Sequence, residues 1–206
     1  MTTKPSDHWE TVYRTKNADT VSWYRPRLDV SLQLLERAGM SPEARVIDIG
    51  GGASTLVDDL LARGVTKITV LDLSDQALQR ARSRLGTRAD LIDWRVADVT
   101  TAEFPVGAYD LWHDRAVLHF LTTDAETSAY CHQASTAVRT GGHLVIGGFA
   151  SDGPEQCSGL RVARREPADI AALFKTHFDL VDQADEVHQT PWGTPQHFAY
   201  AVLRRR

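Results

Sequence analysis

A chain of 206 residues, 42% of them hydrophobic and 24% charged, has ordinary globular usage and is long enough for one domain that buries its own core without staples. That composition excludes a disordered tail, a collagen-like repeat and a fibrous protein, and a net charge of -4 argues against a partner made wholly of phosphate backbone. Two cysteines, Cys131 and Cys157, make neither a disulfide framework nor a zinc site, so a reducing cytoplasm is the expected compartment. The opening Met1-Thr2-Thr3-Lys4-Pro5-Ser6-Asp7 lacks the apolar run of a secretory signal, and the longest apolar stretch, 144–150, is too short and too glycine-rich to span a bilayer.

In chain order, residues 6–13 and 27–39 read as helices, the second with Pro26 near its start and the aromatic Ser22-Trp23-Tyr24-Arg25-Pro26 between them. Residues 45–49 read as a strand ending in glycines. Leu56, Val57, Leu60 and Leu61 then recur at helical spacing until Gly64 stops them. Residues 67–71 are a second strand. Ser74 caps a helix over 75–85 whose one face carries Ala77, Leu78, Ala81 and Leu85. Strands follow near 91–96 and over 109–113. Thr123 or Asp124 caps a long helix to Arg139, closed by Gly141-Gly142, and 142–149 is a fifth strand. Residues 167–177 read as a helix. The runs 178–187 and 196–203 have no helix between them, so they pair antiparallel. Strand and helix alternation implies βαβ units with helices on both faces of a mostly parallel sheet, here closed by an antiparallel hairpin. The whole is one domain: a helical cap over 1–40, a core over 45–150, and a loop, helix and hairpin over 151–206.

In an open parallel sheet, ligands bind at the carboxyl ends of the strands. The first strand ends Asp48-Ile49-Gly50-Gly51-Gly52-Ala53-Ser54. Glycines there permit a tight turn and close ligand approach, and the amides of the next helix favour an anion. Asp72 ends the second strand 20 residues after Gly52, a spacing that suits a carboxylate accepting both hydroxyls of a ribose. Thr55 stands where a dinucleotide loop would have its third glycine, and no phosphate-loop lysine follows.

Asp48, Gly50, Gly52 and Ser54 instead fill the pattern [DE]-x-G-x-G-x-[GS]. The chain thereby resembles the class I S-adenosylmethionine-dependent methyltransferases. Asp72, Ala97-Asp98-Val99, Tyr109-Asp110-Leu111-Trp112 and Thr140-Gly141-Gly142-His143-Leu144 match that family's later landmarks. The resemblance covers 46–149 and extends to the final helix and hairpin. It implies a Rossmann-like seven-stranded sheet with one antiparallel C-terminal strand. It also implies S-adenosylmethionine as cofactor and S-adenosylhomocysteine as product. Gly50, Gly51 and Gly52 would then receive the amino-acid end of the cofactor, Asp72 the ribose, and Leu73 and Val99 the two faces of the adenine. Asp98 would take the adenine amino group, and His113 would meet the donor through its backbone. No metal is implied.

Outside that core, His8-Trp9-Glu10-x-Val12-Tyr13, Ser22-Trp23-Tyr24, His113-Asp114-Arg115-Ala116-Val117-x-His119-Phe120, Cys157-Ser158-Gly159-Leu160 and the tail around His188, Thr190 and Gln196 are similar to a group of small bacterial methyltransferases of mostly unassigned substrate. Asp-Arg-Ala also resembles thiopurine methyltransferases. The match departs at Arg161–Arg165, where Pro-Val and then Arg-Tyr would stand; that basic stretch reads as a solvated face. Trp9, Tyr13, Trp23 and Tyr24 form either a lid over the cofactor, with Tyr13 and Trp23 touching it, or an apolar staple onto the sheet. Asp114 takes the acceptor's proton or pairs with Arg115. His119 is a general base or a hydrogen-bonded core residue. Glu10, Tyr24, Cys157 and His188 are candidate acceptor contacts, with Thr190 and Gln196 either beside them or only fixing a turn.

The expected function is methyl transfer to O, N or S of a small-molecule acceptor. The alternatives are a protein-lysine methyltransferase and a non-catalytic S-adenosylmethionine-binding module. The Asn-Pro-Pro-Tyr type motif of amino-methylating nucleic-acid enzymes is absent, so no nucleic-acid partner is expected, and no membrane.

Overall fold

The computed structural model describes residues 5–206, and all their side chains but those of Pro5 and Ala18. Met1-Thr2-Thr3-Lys4, part of the opening read as lacking a secretory signal, lies outside the described residues. Five strands carry the early core: β1 (Arg45–Ile49), β2 (Lys67–Asp72), β3 (Ile92–Val96), β4 (Tyr109–Arg115) and β5 (Val138–Phe149). A two-stranded ribbon, β6 (Gln156–Cys157) and β7 (Leu160–Arg161), leads to the long hairpin of β8 (Phe178–Gln189) and β9 (Pro195–Arg205). The helices are α1 (Pro5–Thr15), α2 (Asp29–Arg37), α3 (Leu56–Ala62), α4 (Asp75–Leu85), α5 (Asp124–Ala137) and α6 (Pro167–Phe174). No helix among the described residues is long and apolar enough to cross a membrane.

The seven-stranded sheet runs β3-β2-β1-β4-β5-β9-β8, and only β9 is antiparallel to its neighbours. Strand order reverses between β1 and β4, which opens a crevice at their carboxyl ends. Alternation along each strand sends side chains to opposite faces. Val46, Val70, Leu111 and Val145 pack with Leu32 and Leu35 of α2 and Leu56 and Leu60 of α3 on one side. Ile47, Leu71, Trp112 and Leu144 pack with Tyr130 and Ala134 of α5 and Ile170 and Phe174 of α6 on the other. Helices α4 and α5 start where expected. The Ser74 hydroxyl accepts from the Ala77 amide, and Thr123 forms a reciprocal capping box with Glu126.

Several boundaries differ from expectation. Helix α5 stops at Ala137, because Val138 is buried in the second core and pairs with Tyr109 through an irregularity in the β4–β5 ladder. The glycines read as a helix stop therefore lie inside β5. Helix α2 begins two residues later than expected, and α6 ends at Phe174 instead of His177. The ribbon β6–β7 went unforeseen: Ser158 and Gly159 both adopt positive φ (52° and 79°), the geometry of a two-residue hairpin turn.

Candidate active site

The crevice at the switch point holds a cavity of about 380 Å³. A neighbouring cavity of about 60 Å³ shares with it Tyr13, Trp23, Ile49, Gly50 and Arg115. One end of the large cavity is built by the strand ends: Asp72 and Leu73 after β2, and Asp98, Val99 and Thr100 after β3. The other end is walled by Arg115, Phe120, Cys157, Leu160 and Arg161, with Trp9, Tyr13 and Trp23 alongside.

Asp72 is 7% exposed, and its Oδ1 accepts from the Ser74 amide at 2.9 Å. Burial raises its pKa to about 7; the Asp48 and Glu10 charges push the same way, and the Ser74 amide resists. Among the described residues no hydrogen bond reaches its Oδ2. A Cβ on Gly52 would stand 2.6 Å from that oxygen, and Gly52 has a φ of +35°, so only glycine leaves the carboxylate clear. Asp98 is fixed by Thr100, whose amide and hydroxyl both donate to Oδ1 at 2.8 and 2.7 Å, leaving Oδ2 for the cavity. Two carboxylates with open oxygens, flanked by Leu73 and Val99, fit a nucleoside.

The glycine turn works differently from expectation. Gly50 (φ +65°) would drive a Cβ into Val117. Its amide and that of Gly51 donate to the Leu71 carbonyl at 2.7 and 3.3 Å. These two residues therefore offer a ligand close backbone approach and not their N–H groups. Asp48 is buried beneath the turn, where its Oδ1 accepts from His113 Nδ1 at 2.7 Å. The other ring nitrogen of His113 meets the Ser31 hydroxyl of α2 at 2.9 Å. Nδ1–H donating to Asp48 and Ser31 O–H donating to Nε2 satisfies all three groups. His113 and Asp48 thus reach the small cavity as one braced unit.

The aromatic segment both packs and lines. Trp23 meets Trp9 and Tyr13 edge-on with ring centroids 5.7 and 6.3 Å apart, Trp9 and Tyr13 lie tilted at 6.4 Å, and Trp9 meets Phe120 edge-on at 5.1 Å. They rest on Ala53 and Ala77, the packing of an apolar staple, and also form a wall of the large cavity. Long-range contacts hold this wall. Glu10 Oε1 accepts from the Asp75 amide of α4 at 2.5 Å, and Arg80 donates to the Tyr13 carbonyl. His188 Nε2 lies 2.6 Å from the Ser22 carbonyl, and Arg115 Nη1 donates to the Trp23 carbonyl at 3.3 Å.

Several expected acceptor contacts therefore stand elsewhere. Glu10 caps α4, because free amides at a helix start attract a carboxylate. His188, fully buried, anchors the Ser22 backbone. Thr190 ties the β8–β9 turn through the Thr194 amide, and Gln196 is buried beside it. Tyr24 lines the small cavity. Cys157 does line the large one, as a thiol that burial pushes up to about 11. The basic stretch is a solvated face only in part: Arg161 and Arg164 are exposed, the first lining the large cavity and the second paired with Glu155, whereas Arg165 clamps the Leu118 and Leu121 carbonyls at 3.0 Å.

Neither expected base reaches a cavity. Asp114 is completely buried and accepts from the Val117 and Leu118 amides at 2.7 and 3.0 Å and from the Tyr130 hydroxyl at 2.6 Å. Burial outweighs those donors and sets its pKa at about 6. Its partner is Tyr130, not Arg115. His119 is 2% exposed, sits between Phe120 and Phe149, and has no hydrogen-bond partner on either nitrogen. Burial, with Arg115 and Arg165 nearby, lowers its pKa to about 3. Its folded pKa lies below the ordinary 6.5, so the neutral ring's contribution is intact above about pH 6.5 and is lost as pH falls toward 3. His119→Leu is expected to keep activity within about twofold, to melt no lower than the parent, and to remove that acid sensitivity. Melting curves from pH 7 to 4, beside initial rates, check this.

Arg115 is the residue that sequence reasoning passed over. Its side chain is 6% exposed; Nε donates to the Tyr200 hydroxyl at 3.0 Å, and the guanidinium lies 4.3 Å over Phe198. The only signal was its place at the end of β4.

Residues 46–142 match the methyltransferase domain family. The chain is 25% identical over 143 residues to the mouse eEF1A lysine and N-terminal methyltransferase, a stretch covering 69% of this chain and 20% of the relative. It thus spans about a fifth of the length of the curated relatives it matches. Among solved structures, the N-methyltransferase NodS of Bradyrhizobium japonicum, in complex with S-adenosylhomocysteine, is similar with a TM-score of 0.72 at 20% identity, covering 96% of this chain and 98% of NodS. The 1,6-didemethyltoxoflavin-N1-methyltransferase of Burkholderia thailandensis is similar with a TM-score of 0.71 at 22% identity, covering 97% and 86%. Residues 46–142 thus carry a methyltransferase domain, and the strand order is that of the Rossmann-like methyltransferase fold, which together support a class I S-adenosylmethionine-dependent methyltransferase.

Proposed function

We propose that this enzyme methylates a small molecule held in the large cavity against the aromatic wall. The observation that carries the reading is the division of that cavity: open carboxylates of Asp72 and Asp98 at one end, and an aromatic and arginine-lined chamber at the other. In this reading Asp72 accepts the ribose hydroxyls, Asp98 the adenine amino group, and Leu73 and Val99 flank the ring. Gly50, Gly51, Tyr13, Trp23, Asp48 and His113 surround the amino-acid end in the small cavity. When bound, the cofactor supplies an activated methyl on a sulfonium sulfur, so this chain's own work is alignment and exclusion of water. Trp9, Trp23 and Phe120 exclude water, and Cys157, Leu160 and Arg161 face the acceptor. Both thiols are free, in keeping with a cytoplasmic setting.

Similarity to eEF1A methyltransferases supports a second reading, a protein-lysine acceptor. Against it, a lysine ammonium would meet Arg115 and Arg161 at the acceptor end. Incubation with labelled S-adenosylmethionine and a cell extract split by size tests the choice. Label is expected in the low-mass fraction and dependent on the enzyme. Label confined to protein lysines would overturn the proposal.

A further inference from the structure

We infer that the acceptor is a flat, acidic small molecule that binds as an anion, with its charge against the Arg115 guanidinium, and that the enzyme therefore uses no side-chain base. This rests on the small-molecule reading above and adds the acceptor's chemical class.

Three observations carry it. First, Arg115 is a cation with spare capacity. Its Nη2 is buried and makes no hydrogen bond, and the Glu186 carboxylate stands 3.6 Å away. Glu186 Oε1 also pairs with Arg25 at 3.1 Å, and Oε2 accepts from the Tyr200 hydroxyl at 2.6 Å. One carboxylate shared by two guanidiniums leaves the cluster with net positive charge. A buried guanidinium nitrogen without a hydrogen bond is costly even beside a carboxylate at 3.6 Å, and a ligand anion or carbonyl oxygen at Nη2 relieves that cost.

Second, the chamber around Arg115 is shaped and charged for such a ligand. Trp9, Trp23, Phe120 and Leu160 give apolar walls suited to a planar ring, and Arg161 adds a second cation at the mouth. The acids of the large cavity are Asp72 and Asp98 at the nucleoside end and Glu126, whose Oε2 is engaged by Thr123 in the α5 capping box. The Cys157 thiol is uncharged at neutral pH, burial holding it up near 11. An ammonium acceptor would find Glu126, already engaged by Thr123, as its counter-charge there, against the two guanidiniums of Arg115 and Arg161.

Third, the two groups fit by sequence position to remove a proton, Asp114 and His119, lie outside both cavities. An acceptor already ionised needs neither. The acceptor anion attacks the methyl carbon, the carbon–sulfur bond breaks, and its electron pair stays on sulfur as the neutral thioether of S-adenosylhomocysteine. The proton left the acceptor to solvent beforehand, so cation and anion annihilate and no co-reactant is required.

The probe is 4-nitrophenol, which titrates near neutrality and reports its own ionisation by visible absorption. It is titrated into enzyme saturated with S-adenosylhomocysteine between pH 5 and 8. The bound probe is expected to ionise about one pH unit lower than free probe, a tenfold preference for the anion. Benzylamine, a ring bearing a cation, is expected to compete at least about tenfold more weakly. Arg115→Lys and Arg115→Met are expected to lose the shift, the lysine variant in part. An unshifted or raised titration, or no binding of nitrophenol at all, overturns the inference. Equal competition by benzylamine overturns the inference while leaving a small-molecule chamber, whereas binding of a lysine peptide in place of either ring overturns the small-molecule reading as well. The alternative role for Arg115 is to hold the cofactor's carboxylate. If Arg115→Met weakens S-adenosylhomocysteine but not 5′-methylthioadenosine, which lacks the amino-acid end, that role is right and this one is wrong.

Discussion

Asp72→Ala is expected to weaken S-adenosylhomocysteine binding about 100-fold, because two hydrogen bonds from sugar hydroxyls to a charged oxygen contribute roughly 3 kcal/mol. The open Oδ2, kept clear by Gly52, is what those hydroxyls would occupy. The pH dependence follows from the raised pKa. Sugar hydroxyls donate to the ionised carboxylate, and Asp72 in the free protein holds its proton up to about pH 7. Affinity should therefore drop about tenfold per unit as pH falls below 7, and level off above 8. Stability of the free protein runs the other way. The unfolded carboxylate titrates near 3.8 and the folded one near 7, so the folded state binds more protons between those values. Stability falls as pH rises from about 4 to about 7 and is flat beyond. Asp72→Asn should remove both slopes and melt no lower than the parent at pH 7.5, since it deletes a buried charge. Calorimetric titration at three pH values, beside melting curves, reads all of this. Unchanged affinity in Asp72→Ala would place the ribose elsewhere.

The second large effect is expected at Asp114, and on stability. Asp114→Ala strips the acceptor from two buried amides and the Tyr130 hydroxyl at once, and each stranded donor costs about 1–3 kcal/mol. A loss of about 3 kcal/mol or more corresponds to roughly 6–12 °C in Tm for a chain this size. Asp114→Asn keeps one accepting oxygen but turns an NH2 toward a donor, so it should fall between the two. The discriminating result is the comparison of Tm with kcat in the asparagine variant at a temperature where it is folded. A parental Tm with kcat reduced a thousandfold would restore Asp114 as a proton acceptor.

Why these two side chains were legible as candidates but not as bystanders is a matter of backbone geometry. Sequence places Asp114, Arg115 and His119 just past a strand end, the right address for a reacting group. Ala116 then adopts a φ of 75°, a conformation that non-glycine residues seldom take and that no pattern announces. The turn that follows folds Asp114 inward over the amides of Val117 and Leu118, and leaves Arg115 facing the cavities. Arg115 was overlooked because its partners Glu186 and Tyr200 lie on the last two strands. His188 likewise reaches the Ser22 carbonyl across 166 residues. Contacts of that range are written in topology and not in local spacing. What could be read was local: β-branched runs ending in glycine, Ser74 and Thr123 as caps, and acids at the ends of β2 and β3. Glycine signals misled in one place and were missed in another. Gly141-Gly142 resembled a helix stop while lying within β5, and Ser158-Gly159 marked a hairpin that was read as open loop. That hairpin brings Cys157, Leu160 and Arg161 to the wall of the large cavity.

The sheet also dictates an order of assembly. Strand β9 comes after β8 in the chain, yet it slots between β5 and β8. Until it does, β5 is an exposed edge on nascent chains, Tyr200 and Phe198 are missing from beneath Arg115, and the chamber has no floor. Pairing β5 with β9 joins residues 49 to 61 positions apart, a slow closure during which an open edge can capture another copy. Ligand-competent molecules should thus emerge only at the final step of folding, and slowing synthesis ahead of β9 should raise aggregation without altering the finished enzyme.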